Sequence, residues 1–183
     1  VGGDDDWLVL RGLRTAEEID SFLDENYTAA APAEQFAGMT EAVRLTAEAV
    51  ARQEKCAVYG DYDADGIMST VIMLHTLREL GADVIYYIPT REGEGYGLNN
   101  DAISSLCAAE VKLLLACDNG ISAYEQVAYA NSLGMTVIIL DHHELLQETD
   151  ESGKRQQIMP PAAAVRRAVI FLASMIASSS PLV

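Results

Sequence analysis

The sequence predicts an α/β domain built on a mainly parallel sheet with helices on both faces, preceded by a helical N-terminal segment. Three observations predict it. From about residue 55, short apolar runs alternate with helical periods. Glycines and a proline punctuate the runs at the places where such units turn. Three of the four runs end in groups able to hold a metal: Asp61/Asp63/Asp65, then Asp118, then Asp141/His142/His143. In open parallel sheets, ligands bind outside the carboxyl ends of the strands, so these groups converge on one edge.

Residues 7–25 predict a short helical segment. Thr15 with Glu18 makes a capping box, and Ile19, Phe22 and Leu23 follow at helical spacing. Residues 26–38 are rich in Ala, Pro and Gly and predict a connector. Met39 to Gln53 predicts a helix, with Met39, Val43, Ala47 and Val50 on its apolar face. Cys56 to Tyr59 is the first strand, running into Gly60-Asp61-Tyr62-Asp63-Ala64-Asp65-Gly66 and then a helix from about Ile67 to Leu80. Val84 to Ile88 is the second strand, stopped by Pro89, and a Gly-rich loop follows over 91–97. Asn100 to Ala109 is a helix, and Val111 to Ala116 the third strand. Ser122 to Leu133 is a helix closed by Gly134. Met135 to Leu140 is the fourth strand. This divides the chain into a helical lead-in over 1–54, a metal-binding α/β core over 55–147, and a divergent or truncated tail over 148–183.

Half of the 183 residues are apolar, which suits a globular chain rather than a disordered one. No stretch reaches the roughly 18 apolar residues of a membrane span, and the first residues have no signal-peptide pattern. The expectation is a cytoplasmic protein without a membrane partner. Cys56, Cys107 and Cys117 form neither a CxxC pair nor a zinc spacing, so reduced thiols are expected. The net charge of −16 argues at first against nucleic acid. All 28 acids lie at or before Glu151, whereas 152–183 carries Lys154, Arg155, Arg166 and Arg167 and no acid. Bound cations invert the local charge, so an acidic site can still meet phosphate.

Asp61, Asp63 and Asp65 stand two apart, a spacing that points them the same way in an extended segment. Carboxylates so crowded repel unless a cation sits between them. Gly60 and Gly66 allow a tight turn around them. Alone, the motif reads equally as a solvated turn or a calcium loop, though the twelfth position counted from Asp61, where an EF-hand needs Glu, is Ile72. Taken alone, an Asp in a strand-to-helix loop such as Asp118 is usually a helix N-cap. Mixed oxygen and imidazole ligands suit Mn²⁺, with Mg²⁺ as the alternative. His75, alone in mid-helix, is a surface or packing residue.

Tyr59-Gly-Asp-Tyr-Asp-Ala-Asp-Gly66, Cys117-Asp118-Asn119-Gly120 and Asp141-His142-His143 resemble, in order, the first three signature motifs of the DHH phosphoesterase superfamily. The GDYDADG form and Glu94-Gly95-Tyr96-Gly97-Leu98 resemble RecJ-type single-strand-specific exonucleases within it. So do Leu10-Arg11-Gly12-Leu13 and Phe36-Ala37-Gly38-Met39 in the lead-in. The resemblance covers about residues 7–147. It implies Mn²⁺- or Mg²⁺-dependent hydrolysis of single-stranded DNA from the 5′ end. It implies that Asp63, Asp65 and Asp118 hold one ion, and that Asp118 bridges to a second ion held also by His142. Asp61, Asp141 and His143 would orient ligands or meet phosphate. Arg91, Gly95, Tyr96 and Gly97 would contact the strand.

RecJ-type chains continue past the third motif with a further ligand Asp and a second lobe. Here the tail departs from the pattern. In one register of the last twelve residues, Ser178 stands where that Asp belongs. Three function classes follow: a phosphoesterase on single-stranded DNA, a phosphoesterase on short oligonucleotides or pyrophosphate, and a non-catalytic fragment.

Overall fold

The computed structural model describes residues 6–10, 12–24, 37–90, 93, 95–149 and 155–166. Arg91, Ser178 and the connector's residues 26–36 lie outside them. The chain forms two compact units, Val1–Pro32 and Ala33–Val183.

The first unit holds α1 (Asp6–Leu10) and α2 (Ala16–Leu23). Its capping box is the one expected. The Glu18 amide donates to Thr15 Oγ1 at 3.2 Å, and Glu18 Oε2 accepts from the Thr15 amide at 3.0 Å.

The second unit begins with α3 (Met39–Ala51), then β1 (Cys56–Tyr59), α4 (Ala64–Glu79), β2 (Val84–Tyr87) and α5 (Asn100–Ala108). It continues with β3 (Leu113–Cys117), α6 (Tyr124–Ser132), β4 (Thr136–Leu140), β5 (Leu146–Thr149), β6 (Arg155–Ile158) and β7 (Ala164–Arg166). Five strands make one sheet in the order β2-β1-β3-β4-β7, every neighbouring pair parallel. The inner strands are buried on both faces, which is why they read as unbroken apolar runs. Alternate residues feed two cores. Cys56, Val58, Leu113, Leu115, Ile138 and Leu140 pack with Met39, Met73 and Leu77 of α3 and α4. Ala57, Tyr59, Leu114, Ala116, Val137 and Ile139 pack with Ile103, Leu106 and Val127 of α5 and α6. Helices therefore cover both faces, as expected.

Three details differ from the sequence expectations. The fully buried α3 stripe is Met39, Ala42, Thr46 and Ala49; Val43 and Val50 pack at its edge as expected, and Ala47 is exposed. The face is rotated because small residues let the helix approach closely, and Thr46 satisfies its hydroxyl on the Ala42 carbonyl at 2.7 Å. Helix α4 starts at Ala64, inside the carboxylate motif, because the Asp63 side chain accepts from the Gly66 amide at 2.9 Å and caps it. Beyond residue 145, β5 and β6 form an antiparallel ribbon apart from the main sheet, and β7 joins β4. Gln, Glu and Arg dominate the ribbon, so it shows no apolar run that would announce a strand.

Candidate metal centre

The ends of β1, β3 and β4 lie side by side in the sheet, with Tyr59 opposite Ala116 and Cys117 opposite Leu140. The residues that follow each strand therefore meet at one edge. Asp61, Asp118 and Asp141 are each 1% exposed. Carboxylates so buried have to be paired, protonated or matched to a cation.

Asp141 is paired. Its Oδ2 accepts from the Ile121 amide at 3.0 Å, and its Oδ1 accepts from the His143 amide at 3.0 Å and lies 2.7 Å from His143 Nδ1. Asp141 thus fixes the His143 ring and ties it to the loop after β3. Burial opposes charge on that ring, but the Asp141 carboxylate overrides it and holds the imidazole above its ordinary value.

Asp118 is not paired in the same way. Its backbone is left-handed, with φ +62°, and its amide donates to the Leu140 carbonyl at 2.8 Å. Helix α6 is capped at Ala123, so the N-cap reading of Asp118 is set aside. Asp118 Oδ1 lies 3.0 Å from His142 Nε2 yet has no hydrogen bond of acceptable geometry, and Asp61 Oδ1 has no partner either among the described residues. Burial raises the Asp118 carboxyl to about 6, with the charges of Asp63 and Asp141 adding to it and His142 and His143 opposing it. Burial raises Asp61 in the same direction.

Ligand-capable atoms of Asp118, His142 and His143 all lie within 4.8 Å of one another. The donor set and the orphaned buried carboxylate oxygens fit a divalent cation. Asp63 and Asp65 stand outside that group of three, both exposed, at the N-cap and in the first turn of α4. Helix onset inside the motif breaks the two-residue alternation expected there. Asp63 is still close enough for its charge to raise Asp118 and Asp61. The flanking glycines serve close approach rather than turning, since a β-carbon on Gly66 would lie 2.6 Å from the Asp61 backbone.

The Gly-rich loop reaches the same edge. The Tyr96 hydroxyl sits 3.3 Å from the Asp118 carbonyl oxygen and 3.2 and 3.3 Å from the His143 ring nitrogens. Gly95 and Gly97 flank it, both with φ +78°. His75 is on the surface beside Glu79, as expected. Sequence reasoning misses two residues here. Asn119, fully buried, donates to the carbonyls of Tyr59 and Cys117 at 3.3 and 3.0 Å, joining two strand ends. Tyr59, fully buried, donates its hydroxyl to the Gly97 carbonyl at 3.0 Å. Its signals are a phenol closing a short apolar strand and its place at the head of the first motif.

The chain is similar to known proteins over most of its length. The single-stranded-DNA-specific exonuclease RecJ of Bacillus subtilis (strain 168) is 44% identical over 137 residues, which is 75% of this chain and 17% of that protein. The Escherichia coli (strain K12) protein of the same name is 36% identical over 134 residues, 73% of this chain and 22% of its own length. A crystal structure of exonuclease RecJ bound to manganese matches with a TM-score of 0.67 at 28% identity, over 80% of this chain and 39% of that one. RecJ from Thermus thermophilus in complex with Mn²⁺ matches at 0.62 and 25% identity, over 81% of this chain and 22% of that one. The chain thus spans about a fifth of the length of these curated relatives. The model of the DHH family's N-terminal domain matches residues 55–178, a stretch that runs from the start of β1 past β7. The chain therefore belongs to the DHH family and carries its N-terminal domain.

Proposed function

We propose that this chain is the metal-binding front lobe of an exonuclease that hydrolyses single-stranded DNA from its 5′ end with Mn²⁺, or Mg²⁺ in its place. The observation that carries the reading is the buried Asp118 carboxylate. It lies within ligand distance of His142 and His143 at the carboxyl edge of a parallel sheet, with an oxygen that no hydrogen bond satisfies. The relatives named as single-stranded-DNA-specific exonucleases, and the RecJ structures bound to manganese, support the substrate and the ion.

In this reading residues 55–147 form the metal-binding core. Asp63, Asp65, Asp118 and His142 would hold the cations, with Asp118 as the shared ligand. A bound divalent cation neutralises phosphodiester charge and makes water a better nucleophile. Asp61 and Asp141 orient the ligand loops, and Asp141 fixes the His143 ring. His143 and the Tyr96 hydroxyl face the phosphate side, with Gly95 and Gly97 along the strand's path; the sequence resemblance adds Arg91 as a strand contact. The partner is single-stranded DNA. No helix among the described residues is long and apolar enough to cross a membrane. The unpaired thiols of Cys56, Cys107 and Cys117 support a cytoplasmic setting.

Titration calorimetry with Mn²⁺ tests the site. Wild type should bind, and Asp118→Ala should lose the binding; equal affinity in the variant would end the assignment. Mononucleotide release from 5′-labelled single-stranded DNA, run beside pyrophosphate and a dinucleotide, tests the substrate. Turnover should be slow in this chain, because its net charge of −16 repels the phosphate backbone. A preference for pyrophosphate would replace this reading with that of a small-substrate phosphoesterase.

A further inference from the structure

Among the strand residues beneath the metal centre, Tyr59 carries a polar group that packing alone does not require. It ends β1, is fully buried, and stacks at 5.0 Å from the Tyr87 ring. A phenylalanine would fill that space equally well. The hydroxyl makes two bonds to one distant segment. It donates to the Gly97 carbonyl at 3.0 Å and accepts from Asn99 Nδ2 at 3.1 Å. Asn99 Oδ1 in turn accepts from the Ala102 amide at 2.7 Å and caps α5. The bonds reach across about 40 residues of chain and grip the loop immediately after Tyr96.

The loop needs such a grip. Gly95 and Gly97 both adopt φ +78°, and a β-carbon added to either would meet nothing within 4 Å. Gly95 is exposed, so packing does not fix its backbone, and Gly97, though buried, needs a partner for its carbonyl. Leu98 anchors the core side of the segment, and the Tyr59 bond to the Gly97 carbonyl holds the residue that follows Tyr96. The Tyr96 hydroxyl is the group that reaches the Asp118 carbonyl and the His143 ring.

We propose that Tyr59 is a positioning residue: its buried hydroxyl holds the 95–99 loop so that the Tyr96 hydroxyl stands over the metal edge. This rests on the reading of that edge given above. The Tyr59 hydroxyl bonds Gly97 and Asn99 and acts through Tyr96. The loop tyrosine is thereby set by a side chain from the strand that also leads into Asp61 and Asp63, so both sides of the site share one rigid support.

Tyr59→Phe tests this in the chain as it is, because it removes one oxygen and keeps the ring. Three measurements are combined. In metal-free protein, amide hydrogen exchange over 95–98 and at Ala102 should quicken about five- to tenfold, the loss of one net hydrogen bond. Amides of β3 and β4 should keep their rates. Melting of Tyr59→Phe, Tyr96→Phe and the double variant should be non-additive, the second change costing little once the first is made. Mn²⁺ affinity by calorimetry should stay within about twofold of wild type, because no ligand has moved. Unchanged loop exchange with additive melting shifts would overturn the proposal. So would a loss of Mn²⁺ affinity in Tyr59→Phe, which would make the residue part of the ligand framework. Should wild type itself bind no Mn²⁺, the metal reading falls, while exchange and melting still decide the role of Tyr59.

Discussion

Replacing Gly66 by alanine should remove Mn²⁺ binding and lower the melting temperature by about 6–12 °C, a cost of about 3 kcal/mol in a chain of this size. The added β-carbon would lie 2.6 Å from the Asp61 Cβ, amide nitrogen and carbonyl oxygen. Two of those three atoms are backbone, so no rotamer change makes room. Gly66 is also held from its own side. Its amide donates to Asp63 Oδ1, and its carbonyl accepts from the Ser69 and Thr70 hydroxyls at 3.1 and 2.7 Å. Relief therefore requires pushing the Asp61 turn away from α4, which carries Asp61 and Asp63 out of register with Asp118. Gly60→Ala supplies the contrast. Its β-carbon would come within 1.9 Å of Thr70 Oγ1, a side-chain atom, while the nearest backbone atom, the Gly66 carbonyl oxygen, would be 3.0 Å away rather than 2.6 Å. We expect Gly60→Ala to be destabilised yet to keep more of its metal affinity than Gly66→Ala. Melting and Mn²⁺ titration of both variants decide it. A Gly66→Ala protein that melts and binds like wild type would refute the close-approach argument.

The contrast also shows why some of this protein is legible in its sequence and some is not. The inner strands read cleanly because burial on both faces demands an apolar residue at every position, as in Leu113–Cys117. The α2 start reads cleanly because Thr15 and Glu18 satisfy each other locally. Asp61, Asp118, Asp141 and the two histidines read as one edge because parallel topology lines up the strand ends. What fails is what depends on contacts between distant segments. The α3 stripe rotates because packing on the sheet chooses Ala42 and Ala49 over Ala47. The purpose of Gly60 and Gly66 lies in the atoms opposite them, which spacing does not reveal. Tyr59 counts as one more strand residue until its hydroxyl is found on Gly97. The β5–β6 ribbon has no buried face beyond Ile158's partial one, so hydrophobic periodicity has nothing to record.

Asp118→Asn should make the metal-free protein more stable and abolish its stabilisation by Mn²⁺, two effects of opposite sign from one isosteric change. The Asp118 carboxyl is raised from 3.8 to about 6, chiefly by burial. A carboxyl raised on folding favours the protonated native state. Its contribution is fully present below about pH 4 and is lost as pH rises through about 6. At neutral pH the metal-free fold therefore carries a buried charge that it holds at a cost, and the amide removes that charge. His143 adds a loss of the same direction at higher pH, because its ring is raised above 6.5 and its contribution fades as pH climbs through that raised value. Glu18 and Glu41 are lowered at the surface and run the other way, so the comparison has to be wild type against Asp118→Asn, which shares those groups. The difference between the two melting curves should be small near pH 4 and should widen in favour of the variant up to about pH 7. Mn²⁺ reverses the order. Proton and cation compete for the same oxygens, so wild-type affinity should climb steeply from about pH 5 to 7. At 100 times the dissociation constant, Mn²⁺ should add about 2.7 kcal/mol, or about 5–11 °C in melting temperature. The variant should show almost none of this shift at any pH. A metal-free Asp118→Asn protein that melts below wild type at pH 7 would mean that the carboxylate is already compensated by His142. The cation would then not be what this buried charge is built to meet.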